Sequence, residues 1–427
     1  MFQNNLLMGA ASISDGGYTI DYSCRFNTAD TAQLSRANGT ATSSTTATIA
    51  FWFKMGVLTA EQAFFGAEGF YTGLAITTSK TLQLVHGDGA VVFTTTQVFR
   101  DPTAWYHCVV IYDTTEDTDT NRVKLYINGA QVTAYTATTW PTLNEAFTAW
   151  NTSGNTNLVG DGHSTKANFD GYLAEFHSTD GVAYGPTTFG EFDDNGVWRP
   201  IEVDGVTYGN NGFYLDFADS SALGNDVSGN DNDLTSSGLV AADQMTDTPT
   251  NNHATWNVLN EWSDNVFSDG NLTITTLAPG YFRVPITTIG ATTGKFYCEM
   301  SFSDDGASND VAFGIDDGKS AQGLSSLTDN TSTTGGNFIG YKQNGEKYIG
   351  ATTSAFGATY TVGDVIGIAL DLDDGTPHVE FYKNNSSEGT VNLVTTGIPY
   401  FFSAKTFSGA AVYTANFGQS AFTYTPP

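Results

Sequence analysis

Positive charge is what this 427-residue chain has least of: 16 lysines and arginines stand against 45 aspartates and glutamates. A formal charge of −29 repels nucleic-acid phosphates and anionic membrane surfaces, which argues against a nucleic-acid partner. Cysteine is scarce as well. Cys24, Cys108 and Cys298 are odd in number, far apart and without a CxxC pair, so they build no disulfide framework. Each sits in a strand-like run, where a thiol is expected as a small core residue. No run approaches the roughly 20 apolar residues of a membrane span, and no membrane insertion is expected. The opening MFQNNLLMGAAS has no basic n-region, and its apolar run, 6–11, is too short for a secretory leader. Helical periodicity is missing almost throughout; 59–65 is the one short candidate.

Strand signals fill the space left. TATIAFWFKM alternates Ile49, Phe51 and Phe53. WYHCVVIYD runs from Trp105 to Asp113, and YLAEFHS from Tyr172 to Ser178. RVKLYING puts Val123, Leu125 and Ile127 on one side and ends in Asn128-Gly129, a favoured hairpin turn. Glycine, serine, threonine, asparagine and aspartate crowd the gaps, as tight turns require. After about residue 200 the texture changes: 212–252 begins as a strand and decays into small polar residues ending at Thr248-Pro249, which reads as a linker. A second strand-rich block follows. The expectation is an all-β chain of two antiparallel β-sandwich, jelly-roll-like domains in series. Its divisions are an N-terminal arm, 1–19; a sandwich, 20–205; a connector strand and linker, 206–253; and a second sandwich, 254–427.

The stretch 363–385, GDVIGIALDLDDGTPHVEFYKNN, shows how such a sandwich is built. Ile366, Ile368, Leu370 and Leu372 share one face of a strand; Val379 and Phe381 continue that face after a turn at 373–376. Burying large aliphatics at roughly 1.5 to 3 kcal/mol each drives this hairpin onto a second sheet. The opposite face, with Gly367 and Ala369, either lets a neighbour pack close or meets solvent.

Residues 294–427 resemble the SPRY domain, through GKFYCEM, FIGYKQNGEKYIG, YTVGDVIGIALDLDDGTPHVEFYKNN and ANFGQSAFTYTPP in order. That resemblance implies a bent two-sheet sandwich that binds partners through its loops and has no catalytic residues. Residues 20–205 resemble concanavalin-A-like, laminin-G-like sandwiches, through ATIAFWFKM, WYHCVVIYD, VKLYINGAQV and FDGYLAEFHSTDGVAY. The two in series resemble structural proteins of tailed bacteriophages, which implies a place on the virion, as surface appendage or capsid exterior.

A concanavalin-like fold also hosts glycoside hydrolases, which need two carboxylates flanking the scissile bond. The nearest approaches are Glu191, Asp193 and Asp194 in GEFDDNG and Asp371, Asp373 and Asp374 in LDLDDG; neither completes an E-x-D-x-x-E pattern. The six histidines, His86, His107, His163, His177, His253 and His378, form no metal-binding pair, and no GxSxG or P-loop occurs. The chain therefore reads as a non-enzyme. Asp226, Asn230, Asp231 and Asp233 offer closely spaced oxygens, a candidate calcium loop, and Asp161 with Asp170 a weaker one. Trp140, Trp150, Tyr184 and Trp198 lie in loop-like stretches and are candidate platforms for a sugar ring; each is alternatively the edge of a core. The expected function is recognition of a host-surface receptor, a glycan, by a tail fibre or appendage. The alternative is a decoration or adaptor protein that binds other virion proteins through the N-terminal arm. A homo-oligomer, such as a trimer, fits either.

Overall fold

In the computed structural model, the residues described are 17–57, 60–69, 72–87, 89–147, 149–162, 166–259, 265–276, 284–305, 311–319, 338–350, 352–393, 395–406 and 411–427. The arm at 1–16 and His163 lie outside them. The chain divides into two units, between Asn251 and Asn252. Among the described residues the only helical turns are short 3-10 segments; the stretch with helical spacing, 59–65, runs instead into a strand, Gln62–Ala67. Phe64, Phe65 and Ala67 fill that strand's buried positions, and burial overrides the weak helical spacing.

The first unit is two stacked sheets. One has eight strands, in the order Ala130–Gln131, Val123–Ile127, Trp105–Asp113, Thr46–Met55, Gly171–Asp180, Ser23–Phe26 and Gln244–Met245, with Phe213–Leu215 also paired to Gly171–Asp180. The facing sheet has nine, its centre formed by Thr81–His86, Gly73–Ile76, Gln62–Ala67 and Thr156–Val159. Alternation sends Ile49, Phe51 and Phe53 inward, where Phe51 stacks on Phe176 at 5.2 Å and Phe53 meets Phe64 at 4.8 Å. Cys24 and Cys108 are buried, free thiols in this core, and Cys298 is buried in the second unit. Asn128 and Gly129 take positive φ of 47° and 75°, the backbone of the tight turn their sequence predicts.

The stretch read as connector and linker is part of this first sandwich. Phe213–Leu215 pairs with Phe176–Ser178, Thr235–Ser237 with the Gln33–Ala37 strand, and Gln244–Met245 with Ser23 and Cys24. The segment thus adds strands to both sheets. Its first strand, Phe213–Leu215, is the one the sequence announces; Thr235–Ser237 and Gln244–Met245 are two or three residues long, too short for alternation to mark them.

The second unit is also a sandwich. Its seven-stranded sheet runs Asn265–Ser268, Thr273–Thr276, Ala411–Asn416, Lys295–Asp305, Ile366–Asp371, His378–Lys383 and Ser386–Asn392; a five-stranded sheet centres on Ile339–Lys342. Ile366, Ile368, Leu370, Val379 and Phe381 are buried, as their shared face requires. The opposite face packs close rather than facing water: the Tyr297 phenol lies across Gly367, where a Cβ would come within 2.5 Å of its hydroxyl. Glu299 ties down the C-terminal residues, accepting the backbone N–H of Thr423 at 2.7 Å and of Tyr424 at 2.8 Å.

Candidate functional site

The outer face of the eight-stranded sheet is where the first unit departs from a bare sandwich. Alternation turns Ala50, Trp52 and Lys54 outward, yet all three are buried. Chain between 184 and 203 covers Ala50 and Trp52 with Tyr184, Phe189, Trp198 and Val203. The 247 region supplies a counter-charge: Lys54 Nζ lies 2.8 Å from an Asp247 oxygen, and the Trp105 indole N–H donates to the other at 3.0 Å. Burial pushes the Lys54 amine down, and Asp247 opposes that shift.

Beside this pair sits His107, wholly enclosed. The Trp198 indole N–H donates to its Nδ1 at 3.1 Å, and the Trp52 ring lies at 4.7 Å. An acceptor at Nδ1 must be unprotonated. Burial, with His177 nearby, holds His107 down at about 3, so that condition is met at neutral pH. Trp198 belongs to a short hairpin, Gly190–Phe192 paired with Trp198–Pro200. Its indole fits because Gly129 and Gly190 carry no side chain; a Cβ would approach it to 2.2 Å and 2.6 Å respectively. The turn is stiffened by Asp193, whose Oδ1 accepts the N–H of Asn195 at 3.0 Å and of Val197 at 2.8 Å, while Arg199 lies 2.6 Å from its other oxygen. Phe192 rests edge-on against Trp198, ring centroids 4.9 Å apart, and stays 54% exposed.

Further along the same face, Glu175 occupies a bulge with φ of 49°. The Tyr214 hydroxyl donates to it at 2.6 Å and that of Tyr18 at 3.4 Å; His177 Nε2 is 3.7 Å away, and His177 Nδ1 meets the Tyr208 hydroxyl at 2.8 Å. Burial pushes the Tyr18 phenol up to about 12 and raises the Asp216 carboxyl. Glu175 is itself buried, so this carboxylate braces the cover instead of meeting a substrate. On the nine-stranded sheet, a cavity lined by Thr72, Ala75, Val85 and Lys166 has room for about one water molecule, too little for a sugar ring.

The aromatic candidates read from sequence are therefore placed otherwise than a platform requires. Trp150 is 1% exposed and packs edge-on against Phe65 at 5.0 Å. Trp198 is buried as described. Trp140 is partly buried against the core and meets Tyr135 edge-on. Tyr184 is partly buried, its hydroxyl accepting the Thr207 N–H at 2.8 Å. All four lie in turn-rich sequence, but large rings beside a sandwich find more burial than water allows them. The exposed ring that the sequence reading passed over is Phe192. Its signal was an apolar side chain directly before the Asp-Asp-Asn-Gly turn.

The calcium candidates do not converge either. Asp226 Oδ1 accepts the N–H of Tyr214 and of Ser228, and its Oδ2 the Ser228 hydroxyl and the Asn232 N–H, all at 2.8–2.9 Å. Asp233 accepts the Asp226 N–H at 2.9 Å. Asn230 points its amide nitrogen to the carbonyls of Gly209 and Gly212, and Asp231 is exposed on the turn. Both oxygens of Asp226 already serve hydrogen-bond donors, so this loop does not fit a cation. Asp170 likewise accepts the Val57 N–H, and Asp161 that of Gly162. Among the described residues no three His, Cys, Asp or Glu side chains converge as metal ligands.

This is an all-β chain with two sandwiches of different kinds. A family model described as the concanavalin A-like lectin/glucanases superfamily, Laminin_G_3, matches residues 26–182, and the SPRY domain model matches residues 295–420. The chain thus carries a concanavalin-A-like domain followed by a SPRY domain. Among solved structures, the SPRY domain of human HERC1 is similar at 13% identity, covering 39% of this chain and 99% of that one, with a TM-score of 0.32. A human SPRY domain is similar at 17% identity, covering 37% and 98%, with a TM-score of 0.29. A Bacteroides ovatus ATCC 8483 protein whose name proposes carbohydrate binding is 17% identical, covering 51% of this chain and 58% of that one, with a TM-score of 0.36. No curated protein matches the chain.

Proposed function

We propose that this chain is a non-enzymatic binding protein, in which the concanavalin-A-like domain recognises a glycan and the SPRY domain contacts protein. The match of residues 26–182 to a superfamily of lectins and glucanases leaves two classes to choose between. The observation that carries the choice is the use made of the acids. Asp193 caps its own turn and pairs with Arg199, and Asp371 accepts the N–H of Asp373 and Asp374 while pairing with Lys295 at 2.6 Å. Glu191 and Asp194 of the first cluster are exposed on a short hairpin and not enclosed by a groove, and the second cluster belongs to the SPRY unit, so neither offers the pair of carboxylates flanking a bound sugar that glycoside hydrolysis needs. The lectin class is favoured.

In the fuller form of this reading the protein sits on a tailed-phage particle, as a tail fibre or appendage that attaches to a host-surface glycan. Residues 1–19 dock on other virion proteins, and the chain assembles as a homo-oligomer. What supports this is the order of the two modules and the acidic surface. A glycan array probed with the full chain, with a reducing-sugar assay on the same oligosaccharides, tests the core of it. Binding without sugar release is expected; release of reducing ends overturns the non-enzymatic reading, and a blank array the glycan reading. A chain without residues 1–11 should be absent from particles; undiminished incorporation removes the arm's role.

A further inference from the structure

We infer that Phe192 is a stacking platform for one neutral hexopyranose unit, with Asp194 and Asn195 of the same turn as its hydroxyl partners. The inference rests on the glycan reading above and names its contact point.

Phe192 is unusual among the chain's rings in being held and exposed at once. Its ring is braced edge-on by Trp198, which is itself fixed by the His107 hydrogen bond and by close approach to Gly129 and Gly190. The adjoining turn is locked through Asp193 and Arg199. A ligand that stacks here therefore orders little that is not ordered already, which removes part of the usual cost of binding. The next residues of the turn, Asp194 and Asn195, are exposed, and among the described residues their side chains take part in no hydrogen bond or ion pair. A carboxylate and an amide of this kind can accept and donate to vicinal hydroxyls.

Size and charge select the occupant. One ring, with Val197 the other exposed apolar residue of the hairpin, is far below the roughly 800 Å² per partner of a stable protein interface. It matches one face of a pyranose. The ring's electron-rich face attracts polarised C–H groups, which a sugar presents along its axial side. The chain's charge of −29 and the carboxylates of Glu191 and Asp194 repel sialic and uronic acids, so the unit is neutral.

The full chain and three variants, Phe192→Ala, Phe192→Trp and Asp194→Ala/Asn195→Ala, are compared on an array of neutral, amino-sugar and sialylated or uronic oligosaccharides, with thermal transitions recorded as a folding control. The expected result is binding of neutral hexose glycans that weakens tenfold or more in Phe192→Ala, is kept in Phe192→Trp, and weakens in the double variant. Equal binding by wild type and Phe192→Ala overturns the platform while leaving the glycan reading in place. Preference for acidic sugars overturns the assigned chemistry. No binding to any array member overturns both. Loss, in Phe192→Ala, of binding to a deglycosylated protein alone replaces the sugar by a protein occupant.

Discussion

Two hairpins in this chain use phenylalanine in opposite ways. In the second unit, Ile366–Asp371 and His378–Lys383 lie inside a seven-stranded sheet, and Phe381 is fully buried between Tyr341 and Phe356, at 6.0 and 5.9 Å. In the first, Gly190–Phe192 and Trp198–Pro200 form a two-stranded sheet of their own, with Phe192 at its turn end. The long hairpin pairs on both edges, and its aliphatic face is closed across the sandwich, where Tyr341 of the five-stranded sheet and Phe356 cover Phe381. The short one is anchored by a single tryptophan and keeps a ring in water. Stability and availability are thus divided between the two.

The sharpest way to break this contrast is to remove each ring. Phe381→Ala should cost about 3–5 kcal/mol, the usual toll for deleting a fully buried aromatic, and destabilise the second unit. Denaturant titration of the full chain, with hydrogen exchange to locate the affected amides, measures it. A loss below about 1 kcal/mol would mean that the long hairpin is not the core element its alternation indicates.

The long hairpin was legible because its face is written in consecutive alternate residues, and both sandwiches follow from runs of that kind. The 206–253 segment was legible only where it begins, at the Phe213–Leu215 strand. Thr235–Ser237 is polar and exposed, and only its pairing with Gln33–Ala37 makes it a strand. Asp247 reads as one acid in a polar stretch, and nothing local says that Lys54 lies buried opposite. The same holds for Trp198, whose fit depends on Gly129, some seventy positions away. Asp247→Ala tests that misread region directly. It strands a buried ammonium and should cost about 3–5 kcal/mol, with lost protection in Thr46–Met55. A linker residue would give almost no change.

Acid provides a subtler probe of the anchor beneath the short hairpin. His107 is held down at about 3 in the fold, against 6.5 for an unburied histidine. Between those values the unfolded chain takes up a proton that the folded chain refuses. This group's contribution is therefore complete above pH 6.5, falls as pH drops toward 3, and changes no further below. The drop is about 2 to 3 kcal/mol between pH 6.5 and 4.5. Titrating carboxylates add their own acid dependence, so the readout is a difference: His107→Gln should lose that much less over the same interval. Parallel stability curves for the two proteins would show that His107 is not the neutral acceptor that pins Trp198.

The smallest expected effect is the one that completes the contrast. Phe192→Ala removes the same side chain as Phe381→Ala, yet more than half of its surface is already in water. Its one ring partner among the described residues, Trp198, keeps its bond to His107 and its fit over Gly129 and Gly190 without it. An aromatic edge contact is worth about 0.5–1.5 kcal/mol beyond area burial, and exposure reduces that further. The stability change should thus stay within about 0.5 kcal/mol, the range of ordinary surface substitutions. A residue of this size that costs so little to remove contributes little to holding the fold together. Were Phe192→Ala to destabilise the first unit by 2 kcal/mol or more in denaturant titration, the ring would be a structural cap on Trp198, and the division of labour between the two hairpins would disappear.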